Sequence, residues 1–146
     1  MILIMLSVAF ATVAVLYAYW LGGTAERYGA KVIAAMYAVA LAGRTQQVGV
    51  FHELDPIAFS EDLIGFAGFS LLGIYTKRVW PLWAAAFQLL SVGAHFVRML
   101  ELDVRPIVYA WMKSGPTWAV LVLLLIGTLG HRRRTSSRAS GPFSPS

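Results

Sequence analysis

Six of the seven carboxylates in this chain fall in or beside two short stretches, Phe51 to Asp62 and Glu101 to Asp103, and the sequence around them is dominated by long apolar runs. Runs of roughly 20 residues are what a helix needs to cross hydrocarbon about 30 Å thick. Few other folds use them at this density. With 58% apolar and 13% charged residues and a mean hydropathy of +0.67, a chain of 146 residues carries more apolar surface than one small water-soluble core encloses. The expectation is an all-α integral membrane protein, five transmembrane helices in a compact bundle.

The runs can be drawn one by one. Ile2 to Leu21 is free of charge, ends in Tyr17, Tyr19 and Trp20, and has no Lys or Arg before it, so it reads as a retained span rather than a secretory signal. The second span is drawn over 31–50, after a short polar connection holding Glu26 and Arg27. The third is drawn over 57–75, with Asp55 and Pro56 suited to a helix start. Lys77 and Arg78 form a basic turn, and Pro81, Trp80 and Trp83 open a fourth span over 81–100. Thr117 to Gly130 alone is short for a crossing, so the fifth is drawn over 106–130 with a kink near Pro116 and with Lys113 snorkelling. Residues 1–130 thus form the bundle. Residues 131–146, basic and rich in Ser and Pro, read as a disordered cytoplasmic tail.

The formal charge is +5, but the cations sit in small groups between apolar runs and in the tail. That pattern points to membrane orientation, not to nucleic acid. With the amino terminus outside, eight of the twelve cations (Arg27, Lys31, Lys77, Arg78, Arg132, Arg133, Arg134 and Arg138) lie inside against Glu26 alone. The tail then lies against anionic lipid, each cation attracted by about 1 kcal/mol near the surface. Because there is no cysteine, disulfides, thiolate metal sites and cysteine nucleophiles are excluded.

In the fourth span Gln88, Ser91, His95 and Arg98 are spaced by three, four and three and form one polar stripe on an otherwise apolar helix. Tyr37, Arg44 and Gln47 share a face of the second span in the same way. Under the five-span drawing Arg44 and Gln47, Glu61 and Asp62, and His95 and Arg98 meet at one depth near the outer surface, and with Gln88 and Glu101 they make one candidate polar cluster. One reading is an ion-pair network, Arg44 with Asp62 and Arg98 with Glu61 or Glu101, which satisfies charges lipid tolerates poorly. The other is a polar cavity that opens outward to an ion, a proton or a small ligand.

Other chemistry is thinner. His52, Glu53 and Asp55 resemble metal ligands but lack the second helical histidine of a zinc protease motif, and only His52 and His95 could ligate a haem from both sides. No metal, no cofactor and no catalytic residue is assigned, and the reading leans away from an enzyme. Gly65, Gly68, Gly73 and Ala84 to Ala86 suit close helix packing.

The segment from Trp80 to His95, WPLWAAAFQLLSVGAH, preceded by the basic turn at Lys77 and Arg78, resembles a segment of uncharacterised small multi-span inner-membrane proteins of proteobacteria. The likeness is most evident over the third to fifth spans. It implies a bacterial inner-membrane bundle and implies no activity. Two expectations for function follow: a structural or accessory subunit of a membrane complex, partnered by the lipid bilayer and by other subunits or itself, or a small transporter or ligand-binding sensor using the polar cluster.

Overall fold

A computed structural model of the protein describes residues 2–44, 56–100 and 106–139. Five helices and no strand occur among them: α1 (Ile2–Leu21), α2 (Thr24–Arg44), α3 (Pro56–Thr76), α4 (Val79–Met99) and α5 (Pro106–Ala139). By length and composition alone α3 is the one described helix able to cross a membrane, and Leu6–Leu21 is a shorter apolar stretch.

The helices pack as a closed ring in chain order. The closest association is α3 with α4, then α4 with α5 and α2 with α3, while α1 closes the ring between α2 and α5. Small residues make that closeness possible: Ala11, Ala14 and Ala18 of α1, Ala30 of α2 and Ala84 and Ala85 of α4 are buried around Phe69, Leu121 and Leu124. At Gly65 a Cβ would sit 2.8 Å from Met36 Sδ and 2.9 Å from Gln88 Cδ, so three helices converge where no side chain fits.

Two helices are longer than the apolar runs predict. The drawing of the second span over 31–50 is corrected at its start, because α2 begins at Thr24 and only Gly22 and Gly23 separate it from α1. Gly22 N–H closes α1 on the Ala18 carbonyl at 3.0 Å, and the Gly23 carbonyl accepts the first bond of α2, from Arg27 N–H at 3.0 Å. Glu26 suits the first turn, where the helix dipole favours negative charge. The reading of 131–146 as wholly disordered is also corrected: α5 runs on from His131 to Ala139. No Gly or Pro interrupts that stretch, and the Thr135 and Ser137 hydroxyls donate back to the His131 and Arg133 carbonyls. Helix α5 continues through Pro116, which lacks the N–H that the Met112 carbonyl would otherwise accept.

The α3–α4 connection depends on Lys77, a non-glycine residue in the left-handed region at φ 51°. That conformation ends α3 sharply and lets α4 start two residues later. The turn lies at the same end of the bundle as Gly22 and Gly23, since Trp80 packs against both Gly29 of α2 and Gly127 of α5.

Candidate functional site

Three members of the α4 stripe are turned into the bundle: Gln88, Ser91 and His95 are all buried. Helix α3 answers it with Asp62, whose Oδ2 accepts a hydrogen bond from Ser91 Oγ at 2.7 Å and lies 3.0 Å from His95 Nε2. With Asp62 ionised, a state that only accepts, Nε2 carries the hydrogen of the second contact. Phe59, one turn before Asp62, presents its ring edge-on to His95 and to Phe96, with centroids 5.7 and 6.1 Å apart.

Ser91 behaves unlike six other helical hydroxyls. Thr12, Ser60, Thr76, Thr128, Thr135 and Ser137 each donate to the carbonyl four residues back, the local bond a helix always offers. Ser91 donates across to α3. A carboxylate is the stronger acceptor.

This geometry is centred on the acid. A hydrolase triad needs the serine hydrogen-bonded to one imidazole nitrogen and the acid on the other. Here serine and histidine converge on the same carboxylate oxygen. The Ser91 proton is directed at Asp62, so His95 is not arranged as its base. What the constellation does is tie α3 to α4 through buried polar groups.

Glu61 points elsewhere. Consecutive helical residues differ by about 100° around the axis, and Glu61 lines a groove of about 650 Å³ with Tyr37, Ser7 and Thr12 between α1, α2 and α3. It also borders a small internal void with Tyr37, Gln88 and Met36. Gln88 donates to Met36 Sδ at 3.8 Å, and its Oε1 is buried with no hydrogen-bond partner among the described residues. The described members of the expected cluster thus lie in two places, Asp62 and His95 at the α3–α4 interface and Glu61 and Gln88 beside the internal void.

The Asp62 carboxylate engages Ser91 and His95, and the expected pairings of Arg44 and Arg98 fall outside the described side chains. Arg44 and Arg98 lie in the last turns of α2 and α4. Gln47, Glu101, His52, Glu53 and Asp55 fall outside the described residues. Among the described residues no three His, Asp or Glu side chains gather as metal ligands.

The sequence reading places Glu26 in a short polar connection. Instead it is fully buried, with neither carboxylate oxygen partnered among the described residues. A Cβ on Gly23 would lie 3.0 Å from Glu26 Oε2 and 2.7 Å from His131 Nδ1, so acid and imidazole flank the same glycine. The available signal was spacing: Gly22, Glu26, Gly29, Ala30 and Ile33 recur at helical intervals on one face.

No family model, no curated protein and no solved structure matches this chain.

Proposed function

We propose that the protein is a five-span integral membrane protein of the bacterial inner membrane, amino terminus outside and carboxyl terminus cytoplasmic, serving as a structural or accessory subunit of a membrane complex. The observation that carries the membrane assignment is the exterior of the bundle. Large apolar side chains face outward from every helix, among them Val13 of α1, Leu41 of α2, Ile74 of α3, Leu89 of α4 and Ile126 of α5. Water-soluble monomers rarely expose contiguous apolar patches beyond a few hundred Å². At the end holding the Gly22–Gly23 and Lys77–Arg78 turns, Trp20, Tyr28, Tyr75 and Trp83 are all exposed. Rings there with Lys and Arg beyond them match a cytoplasmic headgroup boundary. The likeness of Trp80–His95 to segments of proteobacterial inner-membrane proteins supports the same location.

The non-enzymatic part of the reading rests on Asp62, which takes donors from Ser91 and His95 at once and holds two helices together. Purification from native membranes in mild detergent, followed by mass spectrometry, tests it. A co-migrating membrane protein or a stable self-assembly is expected, and recovery of a free monomer alone would refute the subunit role. A reporter fused after Ser146 that acts outside the cytoplasm would reverse the orientation.

A second reading, a small transporter or ligand-binding sensor, is favoured by one observation. The groove bordered by Glu61 and Tyr37 sets a few polar groups in an apolar cleft, the usual composition of a small-molecule site. Liposome flux or ligand binding that is indifferent to Glu61→Gln, Asp62→Asn and His95→Gln would sink it.

A further inference from the structure

Where α5 extends past Gly130 it faces the α3–α4 turn across a cavity of about 450 Å³, lined by Arg78, His131, Arg133, Arg134, Thr135 and Ser137. No carboxylate is among these lining residues. Three arginines lining one open groove with no lining carboxylate give it a positive potential that favours an anion. The Thr135 and Ser137 hydroxyls already donate to the α5 backbone, which leaves the cations as the recognising groups.

Both walls are set by the fold. Arg78 directly precedes α4, whose first-turn N–H groups add partial positive charge at that lip, and the left-handed Lys77 brings it there. On the other side α5 is held by Arg132, which donates from Nη1 to the Tyr17 hydroxyl at 3.0 Å, and by His131 packed over Gly23. Arg134 lies back along α5, its Nη2 3.7 Å from where a Gly130 Cβ would be. Arg132 thus serves docking, while its neighbours Arg133 and Arg134 serve the cavity.

We propose that this cavity binds a phosphate-bearing anion, supplied by the headgroup of an anionic phospholipid in the adjoining leaflet. Guanidinium forks match phosphate oxygens bidentately. The exposed rings of Tyr75 and Trp83 flank the same turn, the level at which headgroups lie. The choice of a lipid as the source rests on the membrane assignment above, whereas the preference for phosphate does not.

The test uses the full chain in zwitterionic nanodiscs doped with phosphatidylglycerol, with retained lipid counted by native mass spectrometry. The double variant Arg133→Lys with Arg134→Lys keeps every charge and is expected to lower phosphatidylglycerol retention about fivefold, with thermal unfolding unchanged. Arg78→Gln is expected to do the same, and Arg27→Ala, an exposed cation outside the cavity, to have a smaller effect. Diffuse attraction predicts the reverse order: no loss in the Lys pair, and Arg27→Ala equal to Arg78→Gln at about fivefold. That result would overturn the site. If inorganic phosphate at millimolar concentration displaces the lipid completely, the phosphate site stands and the lipid as its source is overturned. Alkaline carbonate extraction reports membrane integration separately, so loss of that assignment is visible whatever the anion result.

Discussion

Replacing Asp62 by Ala removes the acceptor shared by Ser91 and His95, and the cost can be worked from the two partners separately. Hydrogen bonds between membrane helices average about 0.6 kcal/mol and reach about 1.7, and a charged acceptor puts these two in the upper half of that range. Their loss is therefore about 2 kcal/mol together. Ser91 can then recover by bonding to the Phe87 carbonyl four residues back, as Thr76 and Thr128 do with theirs. His95, 5% exposed, has no such local acceptor, and an orphaned buried donor costs about 1–3 kcal/mol. The sum is about 3–5 kcal/mol for Asp62→Ala. Ser91→Ala leaves Asp62 bonded to His95 and should cost only about 1 kcal/mol. The double variant should cost less than the two singles added, because both report one network. Thermal or denaturant unfolding in detergent measures all three. If Asp62→Ala unfolds with the wild type, or if the singles add fully, the Asp62 hub is not what joins α3 to α4.

Three further outcomes follow from the packing. Gly65→Ala places a methyl against Met36 Sδ and Gln88 Cδ and should destabilise by about 1–3 kcal/mol; a melting temperature equal to wild type would mean α2, α3 and α4 are less closely opposed. Gln88→Met keeps the volume and removes the unpartnered Oε1, so the same measurement should show a gain of about 1 kcal/mol, and a clear loss would reveal a partner for that oxygen. Lys77→Gly relieves the left-handed backbone at φ 51° and should stabilise by about 1 kcal/mol; a destabilised variant would show that the Lys77 side chain matters more than its backbone.

Helix boundaries were legible wherever a local signal marks them. Pro56 opens α3 one residue before the predicted start and α4 begins two residues before Pro81, because proline and the basic turn act on the chain within a few residues. Charge is a poorer marker: α2 starts and α5 ends inside charged stretches that read as connection and tail. Charge reports the surroundings a side chain prefers. It does not forbid helical backbone, and Ala25–Glu26–Arg27 and Arg132–Arg133–Arg134 contain no residue that does.

By itself the sequence determined an all-helical chain of five elements and the inward stripe of Gln88, Ser91 and His95, since both follow from periodicity along one helix. Which carboxylate that stripe would meet was decided only by the tertiary structure. Glu61 and Asp62 are adjacent in sequence and point about 100° apart, so a modest rotation of α3 exchanges their roles. That rotation is set by how Gly65 and Gly73 seat α3 against Met36, Gln88 and Leu82 on its neighbours. The burial of Glu26 beneath α5 and the meeting of Arg78 with Arg133 and Arg134 depend likewise on residues separated by more than a third of the chain. Packing between distant segments has no period to read.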